Sequence, residues 1–412
     1  MILVLGVGVV GKAVIEYYKN KSEVCFYDDK VNEYLGVPRF KSWDNIDLVV
    51  ASPGIALRHD MMQEAIRRGI KITNDIEIFL RANISGKKIG VTGTNGKSTT
   101  CAMLQHVLKG YSINGRAASV QIGGNFGVSP LDFLHTNNAE SALECADFYV
   151  LELSSYQLEI MSVEELHMLD IGVITNIYPS HLTRHGDFDD YVSAKCKILS
   201  AKNKILGHCN LFNDWDFPKA QIPEVLPDSL LFERIEYKYC WGIVNMVLDL
   251  FGLDKTKALE FGKTYESLAY RQQVVQTNPI TVINDSKSTN SVAALLALKN
   301  MRGAFCWLAG GAGQSDWSKL HDYLASDVAR GNIKRVYLTA ENNDLIAVLK
   351  NAGVEYILEP NFDVAVKNAY EFALANNLTL LFSPGYQSFD RFKNFEERGA
   401  IFNSHFSVSE GV

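Results

Sequence analysis

The chain has 412 residues, 47% apolar and 21% charged, with 40 Lys and Arg against 47 Asp and Glu for a net charge of −7. This length predicts two or three domains, the composition excludes intrinsic disorder, and the acidic balance argues against a nucleic-acid binder while leaving room for phosphates held by a few local donors. Seven scattered cysteines with no C-x-x-C pair predict reduced thiols in a cytoplasmic protein rather than a disulfide frame or zinc site, and no apolar run of about 18 residues predicts a membrane span.

The apolar start, Met1 to Val10, reads as a strand entering a glycine turn rather than a signal peptide. A helix follows from Lys12, then strands at Val24–Tyr27 and Leu48–Ala51, a helix at Met61–Arg68 and a short strand at Ile70–Thr73. This alternation predicts βαβ units and a parallel sheet over residues 1–84. A second piece, 85–278, carries strands at Lys88–Thr92, Phe148–Leu153 and Ile171–Thr175, with a helix at Ser98–Leu108. A third, 279–412, alternates strands at Thr281–Asn284, Ala304–Ala309, Arg335–Thr339, Tyr356–Leu358 and Thr379–Phe382 with helical stretches, a doubly wound pattern. The expected fold class is therefore α/β throughout, with three domains.

Two glycine loops carry most of the chemistry. Gly6-Val7-Gly8-Val9-Val10-Gly11 fits G-x-G-x-x-G directly after a strand, and Asp28 follows the next strand. Such a turn aims backbone N–H groups at phosphates, with the acid near a ribose or base edge, so the loop predicts a nucleotide without saying which. The second loop is sharper. Gly93-Thr94-Asn95-Gly96-Lys97-Ser98-Thr99 lies between a strand and a helix. Val91 stands where a strict Walker A has glycine, yet the parts are present: glycines to wrap phosphates, Lys97 as a cation, and Ser98 or Thr99 as a hydroxyl for Mg²⁺.

Downstream, Glu152 sits inside an apolar strand, where a charge needs a partner. Its place after a phosphate loop and before Ser154 favours a cation such as Mg²⁺. His181 and Lys195, read alone, are a structural histidine and a solvated helix lysine. The runs Gly93–Thr99, Glu152-Leu153-Ser154-Ser155, Asn176–His181 and Tyr191–Lys195, then Asn284–Asn290, Ser383-Pro384-Gly385 and Ser388–Gly399, occur in this order and spacing in the Mur ligases. The chain resembles that family, and the run Ser388–Gly399, with Ala51–Leu57, looks most like the members that add D-glutamate.

The resemblance implies ATP-dependent amide formation between UDP-N-acetylmuramoyl-L-alanine and D-glutamate in peptidoglycan precursor synthesis, with ATP and Mg²⁺ as cofactors and a monomeric chain. It implies a Rossmann-like first domain holding the uridine diphosphate through Gly8 and Asp28, a central P-loop ATPase-like domain, and a Rossmann-like third domain. Asn125 and Ser154 would meet the sugar-peptide. The segment Gly93, Thr94, Asn95, Gly96, Lys97, Ser98 and Thr99 would hold ATP, with Arg271, Asp285 and Lys287 on its far side. Ser98, Glu152, His181 and a carbamylated Lys195 would arrange the metals. Thr289, Ser388 and the backbone at Phe395 would receive D-glutamate. The sequence departs from the family in three places: Ser180 replaces an aspartate, Tyr237–Asn245 offers no His-Asn-x-x-Asn for adenine, and Gln314 stands near the place of a lysine facing the amino acid's side chain, where Lys319 or Arg391 would have to substitute.

Three other readings compete: a Mur or folylpolyglutamate-type ligase for another amino acid, an NAD-dependent oxidoreductase that leaves Gly93–Thr99 idle, and a nucleotide-binding regulator without turnover.

Overall fold

Where apolar strands alternate with helices, parallel sheets form. The computed structural model describes residues 1–134, 145–207, 211, 218–221 and 234–406, and the chain divides into two compact units, Met1–Tyr265 and Glu266–Val412.

In the first unit β1 (Ile2–Leu5), β2 (Val24–Tyr27), β3 (Leu48–Ala51) and β4 (Lys71–Thr73) run parallel in the order β2-β1-β3-β4. The unbroken apolar run of β1 is buried at all its positions, as a strand covered on both faces requires. A second parallel sheet contains β5 (Lys87–Thr92) at its centre. After a small hairpin of β6 (Ser112–Ile113) and β7 (Arg116–Ala117), it adds β8 (Val120–Gly124), β9 (Phe148–Glu152), β10 (Ile171–Ile174) and β11 (Asn203–Leu206), in the order β11-β10-β5-β9-β8. The register pairs Val91 with Glu152 and Thr92 with Ile174. The loops leaving β5, β9 and β10 therefore emerge side by side at the carboxyl edge, where α/β sheets bind ligands.

The two sheets share one core. Val4, Val14, Phe26, Ile76 and Phe79 belong to the same buried cluster as Tyr149, Leu151 and Ile174. A polar tie crosses it: the buried Glu77 carboxylate accepts from Thr73 Oγ1 at 2.5 Å and from the Ser162 N–H at 2.6 Å, with Arg81 against it at 3.1 Å. The stretch Tyr237–Asn245 lies in a helix, Ile235–Phe251, that packs on the helix Lys97–Lys109 and buries Tyr237 and Trp241 completely or nearly so.

The second unit holds one six-stranded sheet of β12 (Gln273–Gln276), β13 (Val282–Asn284), β14 (Phe305–Ala309), β15 (Ile333–Leu338), β16 (Tyr356–Leu358) and β17 (Thr379–Phe382), in the order β12-β13-β17-β14-β15-β16. All neighbours are parallel except β12, which runs antiparallel to β13. The third sheet thus begins before Pro279, because Gln273–Gln276 pairs with β13. Among the described residues no helix is long and apolar enough to cross a membrane.

Candidate active site

The first glycine loop closes on itself. Gly6 has φ +83°, and a Cβ on Gly11 would sit 1.9 Å from the Gly6 carbonyl oxygen, so only glycine lets the helix Val9–Tyr18 approach this closely. Gly8 caps that helix with open space around its Cα. Asp28 accepts from the Val7 N–H at 2.8 Å and from Lys30 and Val31 at 2.8 and 3.0 Å. Burial opposes its charge, but the three N–H donors outweigh it and hold the carboxyl below the ordinary aspartate range. The acid expected to meet a ribose therefore also braces the loop.

The second glycine loop is stitched from outside. Gly93 (φ +145°) passes so near β10 that a Cβ would lie 1.9 Å from Thr175 Oγ1. Thr175 Oγ1 donates to Asn95 O at 2.6 Å, Asn176 Nδ2 to the same oxygen at 3.0 Å, and Asn176 Oδ1 accepts from the Asn95 N–H at 2.9 Å. Thr94 Oγ1 meets Tyr191 OH at 2.9 Å. The Asn95 amide Nδ2 is buried and has no hydrogen-bond acceptor among the described residues. Ser98 and Thr99 open the helix Lys97–Lys109, Ser98 half-buried and Thr99 buried.

Two lysines converge on this loop. Lys97 Nζ donates to Gly93 O at 2.9 Å and Thr94 O at 3.0 Å, and Lys195 Nζ donates to the same Gly93 O at 2.9 Å and to Thr92 Oγ1 at 3.3 Å. Lys195, expected on its own terms to be a solvated helix lysine, is 1% exposed. Burial, then the neighbouring Lys97 ammonium, drive its pKa well below the usual lysine value, with Glu152 pulling the other way. Glu152 is buried at the end of β9, and its Oε1 accepts from Asn125 Nδ2 at 2.7 Å. Gly124, φ +83°, brings Asn125 there, since a Cβ would lie 2.3 Å from Glu152 O. His181 adopts φ +57° at the head of the helix Leu182–His185, with Nδ1 2.9 Å from Tyr156 OH. Lost hydration first, and then the charges of Lys97 and Lys195, pull its pKa down to about 4. Ser154 is a helix N-cap, its hydroxyl engaged with Gln157 in a capping box. Lys97, Glu152, His181, Lys195, Asn125 and Ser154 thus share one edge of one sheet.

The remaining expected residues lie in the second unit. Asp285 accepts from Ser383 Oγ at 2.8 Å and from the Gln272 N–H at 3.1 Å. Lys287 Nζ lies 3.8 Å from the centre of the Phe395 ring, and Phe395 O accepts from Ser286 Oγ at 2.9 Å. Arg271 and Thr289 are half-buried and Ser388 is buried. Gln314 and Lys319 are exposed. Arg391 pairs with Asp390 at 3.2 Å and donates to the carbonyls of Thr339 and Pro360.

The sequence reading left out the residues that hold these in place. Thr175, Asn176 and Tyr191 lock the second loop; polar residues directly after an apolar strand were the available signal. Arg398 is 1% exposed and donates to Ser286 O at 2.8 Å, Ser286 Oγ and Tyr386 O at 3.1 Å, and Gln387 O at 3.2 Å. Burial lowers its pKa to about 10. Its place in the run Ser388–Gly399 carries no sequence sign of this role.

A Mur ligase middle domain matches residues 91–215, the segment that opens with the second glycine loop. The fold agrees with that class: UDP-N-acetylmuramate-alanine ligase MurC from Thermotoga maritima superposes with a TM-score of 0.59 at 18% identity over 99% of each chain. MurF ligase from the same organism, solved in complex with ADP, gives 0.55 at 16% identity over 87% of this chain and 94% of its own. The UDP-N-acetylmuramoylalanine--D-glutamate ligase of Rickettsia felis is 30% identical, spanning 97% of this chain and 95% of that protein. The chain belongs to the Mur ligases, in the family of the UDP-N-acetylmuramoylalanine--D-glutamate ligases.

Proposed function

We propose that the chain uses ATP to join the carboxyl group of UDP-N-acetylmuramoyl-L-alanine to the amine of D-glutamate. In this reading residues 1–84 take the uridine diphosphate, 85–278 take ATP and 279–412 take the amino acid. The observation that carries it is the second glycine loop, where Lys97 and Lys195 share Gly93 O and the buried Asn95 amide has no acceptor among the described residues. A buried donor without a partner at a helix N-terminus is what an anionic ligand satisfies.

A carboxylate is a poor acyl donor because oxide is a poor leaving group. Attack of the substrate carboxylate on the γ-phosphoryl group breaks the bond to the β-phosphate oxygen, releasing ADP and forming an acyl phosphate. Lys97, released from its two loop carbonyls, neutralises the charge that builds on the phosphoryl oxygens. The amine of D-glutamate then attacks the acyl carbon, a proton leaves, and phosphate departs. The loops at Thr289, Ser388 and Phe395 position the amine in this reading, and positioning is most of what such a reaction asks of a protein.

The donor set suits Mg²⁺. Glu152 offers a carboxylate and Ser98 a hydroxyl at the helix N-terminus, and no group of three His, Cys, Asp or Glu able to cage a metal occurs among the described residues. Mg²⁺ usually takes one or two carboxylates beside phosphate oxygens and water. Bound there, it would draw charge from the phosphates. An ammonium at Lys195 would oppose it, but burial favours the neutral amine, which adds CO₂ and loses a proton to become a carbamate with oxygen donors.

ADP release measured with UDP-N-acetylmuramoyl-L-alanine and a panel of amino acids tests the proposal. D-glutamate should give the highest kcat/KM. Another amino acid preferred by tenfold would indicate a different acceptor, and no ADP with any of them would overturn the ligase reading.

A further inference from the structure

Arg184 bridges the two glycine-loop sheets. Its side chain is 9% exposed, and it lies in the helix Leu182–His185, which starts from His181. Nε and Nη2 donate to Glu159 Oε2 at 3.1 and 2.9 Å, and Nη2 also reaches Ile55 O at 2.8 Å, in the loop that follows β3. That loop belongs to the first glycine site: the Ile55 N–H donates to Ser52 O at 3.0 Å, and Ser52 Oγ donates to Gly6 O at 2.9 Å. In the other direction the guanidinium carbon lies 4.5 Å from the centre of the Tyr156 ring, and Tyr156 OH meets His181 Nδ1 at 2.9 Å. A second tie runs in parallel, from Arg58 Nη2 to Thr183 O at 2.6 Å.

This is more than a buried ion pair needs. A carboxylate alone would satisfy the charge, yet the planar fork is divided between Glu159 and a backbone carbonyl of the other sheet while its face covers Tyr156. Lysine could not do all three, because its point charge neither forks nor stacks. We infer that Arg184 is a positioning residue that fixes His181 in register with the first glycine loop through Tyr156, so that the ligands of the two loops are held in one frame. The kinetic part of this inference rests on the function proposed above.

Arg184→Met keeps the stem and loses the fork. Its kcat should fall about tenfold or more, with KM for the UDP-linked substrate raised several-fold and Kd for ADP within twofold of wild type, because the second loop is stitched by other residues. Arg184→Lys should recover little of the loss, and it carries the same measurements where the methionine variant does not fold. Since the path runs through Tyr156, adding Tyr156→Phe to Arg184→Met should cost less than threefold more. Fully multiplying effects, or a kcat within twofold of wild type in both Arg184 variants, would overturn the inference. Imidazole NMR of the ligand-free protein reads the same path without turnover. The His181 resonances should move in Arg184→Met and in Tyr156→Phe. If they stay in place in Arg184→Met, the inference fails whatever reaction the protein catalyses, whereas moved resonances with no ligase activity would fault the functional reading alone.

Discussion

The two glycine loops of the first unit share a grammar of strand, glycines and helix, but they are held differently. The first packs Gly11 against Gly6 O and is braced by an acid, Asp28 after β2 on the Val7 N–H, and by Ser52 after β3 on Gly6 O. It has one acid and open space at Gly8. The second is braced from the segment after β10 by Thr175 and Asn176, and two lysine side chains donate to a single carbonyl. At the second loop the buried Asn95 Nδ2 has no acceptor among the described residues, and Lys97 and Lys195 gather on Gly93 O. The comparison teaches that the glycine pattern sets only the backbone path, while the groups around it tell the loops apart: an acid at the first, two lysines at the second.

Substitution should expose this asymmetry. The largest effect belongs to Lys97→Ala, which should lower turnover by roughly 10² to 10⁴ while leaving the fold intact. A variant with near wild-type ADP release would erase the distinction between the loops. Next comes Lys195→Ala, expected to lose about 10²-fold in rate and to regain part of it in added formate, which supplies carboxylate oxygens. Lys195→Arg should be as poor, since arginine keeps its charge; full activity in it would make Lys195 a plain positive contact.

Gly11→Ala acts on the other side of the comparison. The added methyl would meet Gly6 O at 1.9 Å, so stability should drop by about 1–3 kcal/mol and KM for the UDP-linked substrate should rise, with ADP affinity unchanged. Equal losses of both ligands, by calorimetry, would mean that the loops are not separate sites. The smallest effect is that of Asp28→Asn. The folded carboxyl titrates below the usual value of about 4, so its contribution is complete above that value and is lost as pH falls through the folded one. The asparagine variant should be less stable than wild type by under about 1 kcal/mol at pH 7, and the gap should shrink by pH 3. A gap constant from pH 7 to pH 3 in urea melts would remove the charge from the bracing.

What was legible follows from these physics. The strands of all three sheets whose centres are apolar runs, β1, β5, β9, β10 and β14 among them, could be read because burial on both faces leaves few polar positions. β8 could not: Val120–Gly124 includes an exposed Gln121 and two glycines. β12 escaped because Gln273–Gln276 is a half-covered edge strand. The loop motifs named Lys97, Glu152 and Lys195 by type and order, but nothing local distinguishes a buried lysine from a solvated one; Lys195 is defined by neighbours about a hundred positions away, with separations of 103 and 102 to Thr92 and Gly93. Arg184 and Arg398 were hidden for the same reason, since their partners lie far along the chain and include the backbone carbonyls of Ile55, Ser286 and Tyr386, which leave no trace in side-chain sequence.

Arg398 also imposes an order of assembly. It sits in Phe395–Ser404, the last helix among the described residues, and its bonds to Ser286 close a span of 112 residues. Closures of that length come late in folding, because the entropy of drawing the ends together is spent before the contact forms. During synthesis the bonds that shape the second glycine loop, all internal to Met1–Tyr265, can form while the loops at Ser286 and Tyr386 still lack their shared anchor. A chain released short of Phe395–Ser404 would retain the struts of the second glycine loop and lack the tie between the segments that carry Thr289 and Ser388.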